Sequence, residues 1–257
     1  MKTNMLKKNL KAGQVCFGTF VRMGSAAVEI LGDTGWDFVV IDMEHGIFDY
    51  PAVGNLISSA NMAGITSIIR VAEPKPSHIM RSLDAGAGGV QIPQVETYDQ
   101  ANDVARAARY HPYGNRGLCS FVRAAGHSVI SPEEHMSTSN AEVLTVIHIE
   151  GERAINEIDN ILEVPGIDVI FLGPWDLSQS LGIPGKTKDI KVIGAMEAVI
   201  SACRKKSVCV GTFVREPEEA SHWIKQGVQY IMLSTDVGML AKASAERIKA
   251  LRSVSVI

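Results

Sequence analysis

No apolar run in this chain approaches the roughly 20 residues needed to cross a bilayer, so no membrane-spanning helix is expected. Positive charge is not in surplus either: 25 Lys and Arg face 28 Asp and Glu, for a net charge of -3. A nucleic-acid binder ordinarily presents a basic face, so no nucleic-acid partner is expected. Cysteine is scarce. Cys16, Cys119, Cys203 and Cys209 form no CxxC pair, and three of them sit in apolar or helical context, as reduced core residues do. The basic N-terminus (Lys2, Lys7, Lys8, Lys11) leads into no apolar segment, which argues against a signal peptide and for a cytoplasmic protein. No GxGxxG follows the first predicted strand, which weakens a dinucleotide-binding sheet. No lysine falls at a predicted strand end, so a Schiff-base nucleophile has no candidate. No linker or low-complexity tract divides the chain, and residues 1–257 read as one domain.

What is there is alternation. The chain has 257 residues, 46% of them hydrophobic and 21% charged, an ordinary globular composition. Eight near-continuous hydrophobic runs are predicted as strands: Val15–Val21, Asp37–Ile41, Thr66–Val71, Gly89–Ile92, Val143–Ile149, Asp168–Leu172, Val208–Phe213 and Tyr230–Leu233. Such runs suit parallel strands covered on both faces. Amphipathic segments separate them, among them Pro76–Ala85 and a helix over Arg153–Ile161; Gly173–Lys188 is predicted as an irregular loop. Eight strand–helix units point to an α/β fold, a closed (β/α)8 TIM barrel, with an open doubly wound sheet as the runner-up.

In such a barrel the chemistry gathers where strands hand over to loops. The second run ends in Asp42, Glu44 and His45, the third at Arg70, the fifth at His148 and Glu150, and the sixth enters Gly173-Pro174-Trp175-Asp176. Glu150 and Asp176 follow adjacent strands, and paired carboxylates repel unless a proton or cation lies between them. Two oxygen ligands with open positions suit Mg²⁺ or Mn²⁺. The alternative is that each acid caps a helix. His148 is either a third ligand, favouring a softer metal, or a polar residue that stands behind the ligands or faces the core. Asp42, three residues before His45, could orient its ring and raise its basicity. Arg70 either neutralises Asp42 or Glu44 or faces a developing oxyanion. Asp84 ends a helix, where a negative charge opposes the macrodipole. Gly173-Pro174 can expose the backbone N–H groups of the following residues to an anion.

These residues carry a resemblance. Asp42-Met43-Glu44-His45-Gly46, Ile68-Ile69-Arg70-Val71, Leu83-Asp84-Ala85-Gly86-Ala87, Arg109-Tyr110-His111-Pro112, Arg116-Gly117, Ile149-Glu150 and Gly173-Pro174-Trp175-Asp176-Leu177-Ser178 together resemble the HpcH/HpaI aldolase family. The resemblance implies a barrel of the pyruvate/phosphoenolpyruvate superfamily whose last helix is exchanged between subunits, commonly in homohexamers. It implies a metal-dependent lyase that reversibly cleaves a 4-hydroxy-2-oxo acid to pyruvate and an aldehyde. His45 would be the general base, Arg70 would stabilise the enolate, Asp42 would support His45, and Asp84 would assist from the subunit contact. Glu150 and Asp176 would bind a divalent metal (Mg²⁺, Mn²⁺ or Co²⁺). Phe20, Arg70, Gly173, Pro174, Trp175 and Asp176 would contact substrate. Many relatives carry Gln where this chain has His148. The competing readings are a CoA-thioester carbon–carbon lyase and a non-catalytic barrel that only binds an oxo acid.

Overall fold

The eight predicted runs become β1 (Cys16–Val21), β2 (Phe38–Asp42), β3 (Thr66–Arg70), β4 (Gly89–Ile92), β5 (Leu144–Ile149), β6 (Val169–Leu172), β7 (Cys209–Val214) and β8 (Tyr230–Thr235). In the computed structural model, which describes residues 3–254, each strand pairs in parallel with its successor and β8 returns to β1. The sheet is a closed (β/α)8 barrel.

The helices are α1 (Met5–Lys11), α2 (Ser25–Asp33), α3 (Tyr50–Met62), α4 (Pro76–Asp84), α5 (Tyr98–Ala107), α6 (Pro132–Glu142), α7 (Glu152–Asn156), α8 (Ile158–Ile161), α9 (Pro174–Ser180), α10 (Ile190–Lys205), α11 (Pro217–Lys225) and α12 (Asp236–Val254). Asp49, Thr97, Ser131 and Asp189 each accept a backbone N–H in the first turn of the helix they precede. These caps satisfy donors that the helix itself cannot. Two expectations need correction. The helix over 153–161 breaks at Glu157 (φ -94°, ψ 3°), which separates α7 from α8. The stretch 173–188 is not all loop: Pro174, with its preset φ, opens α9 behind Gly173.

Alternation along each strand sorts the core into two clusters. Val39, Ile41, Ile69, Val90, Ile147, Ile170 and Leu172 face the helices. Phe38, Val40, Ile68, Leu144, Val146, Val169, Phe171, Tyr230 and Met232 form the inner cluster. Gly18 belongs to the tightest layer, where a Cβ would run into the Phe38 ring. Gly18→Ala should therefore cost about 1–3 kcal/mol by overpacking, read as a lower urea midpoint at unchanged slope.

The unpredicted helix α1 closes the N-terminal mouth. Leu6 and Leu10 join the inner cluster. Asn4 donates to Gly88 O, Lys7 Nζ donates to Val143 O at 2.7 Å and pairs with Asp168 at 3.0 Å, and Gln229 donates to Leu10 O. Each of those partners lies just before a barrel strand. At the other end of the chain, α12 buries only Asp236 and exposes Val237, Leu240, Ile248 and Val254. Burial pushes the thiols of Cys16 up to about 11 and of Cys203 and Cys209 up to about 12, so these three are inert core residues. No helix among the described residues is long and apolar enough to cross a membrane.

Candidate active site

At the C-terminal rim, β2 and β3 end in register on a charge pair, with Asp42 opposite Arg70. Asp42 is completely buried. Arg70 Nε donates to its Oδ1 at 2.9 Å and Nη2 to its Oδ2 at 2.8 Å; Arg22 Nε donates to Oδ2 at 2.8 Å. The backbone N–H groups of Glu44 and His45 also donate to Oδ1. Burial alone would push the Asp42 carboxyl up, but the Arg70 bonds and charge, the His45 N–H and Arg22 together hold it below its ordinary value. The expectation that Asp42 orients the His45 ring is corrected here. Asp42 grips the backbone of the 44–45 turn, because both of its oxygens are taken by arginines and amides.

Arg70 Nη1 also pairs with Glu44 Oε2 at 3.0 Å, and the Phe20 ring packs 4.2 Å from the guanidinium carbon. Three of the five guanidinium N–H groups are thereby engaged, leaving two for a ligand oxygen. His45 is 56% exposed, and its Nε2 lies 3.9 Å from Glu44 Oε2. Burial pushes the Glu44 carboxyl above its ordinary value despite Arg70 and His148, and the negative charge of Glu150 adds to that push.

Glu150 stands just past β5. Its Oε1 accepts the Gln94 backbone N–H at 2.8 Å and its Oε2 meets His148 Nδ1 at 2.9 Å. Gln94 delivers that N–H from a left-handed backbone (φ 57°), a strained conformation for a non-glycine residue. Burial would raise the Glu150 carboxyl, but the His148 imidazole, the Gln94 N–H and Arg70 outweigh it and hold the group below its ordinary value. Neither Glu150 nor Asp176 serves as a side-chain cap, since Gly151 and Gly173 occupy the cap positions of α7 and α9.

Gly173 shows how β6 fits against Glu150. A Cβ there would lie 2.8 Å from Glu150 Oε2, so only glycine leaves the carboxylate its place. Three residues on, Asp176 lies in the first turn of α9 and is exposed at the same rim. Among the described residues no three His, Cys, Asp or Glu side chains group closely enough to encage a metal. Two carboxylates are the donor set that a hard divalent cation accepts when it keeps its other positions for water or substrate oxygens, so these residues fit such an ion. Pro174 is buried beside Gly173, and Trp175 is exposed with Arg215 stacked on its ring.

The rim thus gathers Phe20, Asp42, His45, Arg70, Glu150 and Gly173 to Asp176. Asp84 is not among them. It ends α4, and Arg116 Nη2 donates to it at 2.6 Å. Within one chain it is committed to that ion pair. Glu44, Gln94, Gln91 and Tyr230 are the residues that sequence reasoning left without a role. Tyr230 donates to Gln91 Oε1 at 2.8 Å, and Gln91 Nε2 meets His148 Nε2 at 2.7 Å. Complete burial pushes the Tyr230 phenol well above its ordinary value, which keeps it a donor.

Known proteins resemble this chain across nearly its whole length. A family model described as HpcH/HpaI aldolase/citrate lyase matches residues 17–243. The chain is 34% identical to a hydroxypyruvate/pyruvate aldolase of Paraburkholderia phytofirmans, across 98% of each chain. It is 32% identical to a 2-keto-3-deoxy-L-rhamnonate aldolase of Shigella sonnei, across 98% of this chain and 94% of that one. The crystal structure of an HpcH/HpaI aldolase/citrate lyase family protein from Burkholderia cenocepacia superimposes with a TM-score of 0.93 at 31% identity, covering 97% of this chain and all of that one.

Proposed function

The chain belongs to the HpcH/HpaI aldolase/citrate lyase family, and from that premise we propose that it is a metal-dependent pyruvate aldolase, a carbon–carbon lyase. It cleaves a 4-hydroxy-2-oxo acid reversibly to pyruvate and an aldehyde. The observation that carries this reading is the meeting of a buried, ionised Glu150, an exposed His45 and an Arg70 with three of its five N–H groups engaged at one rim of the barrel.

Glu150 and Asp176 would hold the divalent cation, which when bound supplies Lewis-acid polarisation of the oxo acid's oxygens. His45, open to solvent, takes the C4 hydroxyl proton directly or through a water. As the C3–C4 bond breaks, its electron pair passes to the pyruvate unit as an enolate, the C4 oxygen becomes the aldehyde carbonyl, and a proton delivered to C3 from solvent turns the enolate into pyruvate. The two unengaged Arg70 N–H groups face that developing charge. Asp42 keeps Arg70 side-on and the 44–45 turn in place. Phe20 covers the guanidinium and keeps water from one side of it. Gly173 and Pro174 form the wall beside Glu150, and Trp175 flanks the opening where the aldehyde leaves. In the synthetic direction His45 returns its proton to the new alkoxide.

The test combines pyruvate with a panel of aldehydes in the presence of Mg²⁺, Mn²⁺ or Co²⁺ and follows product by NMR. Exchange of the pyruvate methyl protons without any aldol product would leave an enolising barrel of another kind. Binding without exchange would leave an oxo-acid binder. His45→Ala should lower cleavage by about 10²–10⁴-fold while calorimetry still detects pyruvate; near-native cleavage removes His45 as the base. The exposed apolar residues Val237, Leu240 and Ile248 on α12 support assembly with further copies of this chain. Asp84 would then reach a site only in a neighbouring copy. A monomer in sedimentation analysis would exclude that arrangement.

A further inference from the structure

A chain of hydrogen bonds crosses the barrel interior and ends on Glu150. Its four members come from three strands: Tyr230 opens β8, Gln91 lies in β4, His148 in β5 and Glu150 just beyond β5. Tyr230, Gln91 and His148 are each no more than 1% exposed, and Glu150's side chain is 10% exposed. The bonds run Tyr230 Oη to Gln91 Oε1 at 2.8 Å, Gln91 Nε2 to His148 Nε2 at 2.7 Å, and His148 Nδ1 to Glu150 Oε2 at 2.9 Å. Donors and acceptors fit in one order. The phenol O–H donates to the amide oxygen, so the amide nitrogen faces the imidazole and must donate. His148 Nε2 therefore accepts, and the ring proton sits on Nδ1, where it donates to Glu150. Phe171 stacks on the imidazole with centroids 4.6 Å apart, and Tyr230 packs on Phe38 at 4.2 Å, so neither ring is loose.

Both imidazole nitrogens are thus spent. To ligate a metal, His148 would have to leave Gln91 or Glu150 with an unpartnered buried polar group, which is costly. A lone histidine beside two carboxylates would otherwise favour softer cations. Ligands are commonly oriented by outer hydrogen-bond partners of this kind, and removing such partners weakens metal affinity about 10–100-fold.

We propose that Tyr230, Gln91 and His148 are positioning residues that hold Glu150 for the cation, with His148 locked as the Nδ1–H tautomer, so that the protein offers the metal oxygen ligands only. This deepens the aldolase reading and rests on its assignment of Glu150 and Asp176 to a cation.

The experiment titrates chelator-stripped full-length protein with Mn²⁺, reading affinity by calorimetry and ligand type by pulsed EPR. Wild type should bind Mn²⁺ without the ¹⁴N modulation of a coordinated imidazole. His148→Leu, which cannot donate to Glu150, should weaken Mn²⁺ binding by about tenfold or more. His148→Gln should restore most of it, because a carboxamide donates to Glu150 and accepts from Gln91. Tyr230→Phe tests the far end of the chain and should weaken binding less than His148→Leu. Melting temperatures recorded on the same samples separate loss of fold from loss of position. A strong ¹⁴N signal that disappears in His148→Gln would make His148 a ligand and overturn the proposal, as would equal Mn²⁺ affinity in wild type, His148→Leu and His148→Gln. Wild type that binds no Mn²⁺ at all would instead sink the cation assignment, and the positioning role with it.

Discussion

Stripping divalent cations with EDTA should take aldol cleavage to the background rate, and Mg²⁺, Mn²⁺ or Co²⁺ should bring it back. The reason lies in the charges already at the rim. Glu150 stays ionised although it is almost buried, and Glu44 and Asp176 stand at the same rim. A 4-hydroxy-2-oxo acid adds another carboxylate to this set. Arg70 cannot offset them all, since Asp42 and Glu44 already take three of its donors. A bound anion and its enolate therefore need a further positive centre, and the proposed cation between Glu150 and Asp176 would supply it. Glu150→Ala should give the same loss as EDTA, without rescue by added metal at ordinary concentrations. Full turnover of metal-free protein would end the metal-dependent reading.

Arg70→Ala should show two large effects at once. Pyruvate methyl-proton exchange should fall by about 10²–10³-fold, the usual consequence of removing a preorganised donor to an oxyanion. Stability should fall too. Asp42 is wholly buried and would keep only Arg22 and two backbone N–H groups. Removing one partner of a buried ion pair costs about 3–5 kcal/mol, and Arg22 should keep the loss near the lower end. The pH dependence follows from the sign of the Asp42 shift. A carboxyl held below its unfolded value stabilises the fold above about pH 4, and that stabilisation is lost as pH falls through the lower folded value. Arg70→Ala raises the folded value, so its acid unfolding limb should move to higher pH. Unchanged exchange would remove the oxyanion role; an unchanged acid limb would remove the Arg70–Asp42 coupling.

Strand positions were legible because each buried strand carries its own signal in a run of apolar residues, and the observed ends differ from the expected ones by a residue or two. The rim acids and bases were legible for the same reason: a charge that abruptly ends such a run stands out. What lay beyond reach depends on closure. His148 meets Gln91, 57 residues earlier, and Gln91 meets Tyr230, 139 residues later. Local spacing cannot reveal those encounters; only the register of the closed barrel does. Arg70 offered two readings, ion-pair partner and oxyanion donor, and its geometry accommodates both through different N–H groups. Asp42 lies one short turn from His45 in sequence, yet its oxygens are claimed by two arginines. The helix α1 escaped notice because only Leu6, Lys7 and Leu10 turn inward, too few positions for a clear period.

That first helix has a practical corollary. The region shared with the family begins at residue 17, beyond α1. A gene trimmed to the shared region would encode every strand but β1's first residue and every rim group, yet omit the stopper of the barrel's floor. Lys7 would no longer neutralise Asp168, leaving Arg109 as that acid's ion-pair partner among the described residues. Water would gain entry to the aromatic stack beneath the charged rim, so a shortened chain should fail from underneath while its rim loops remain intact on paper.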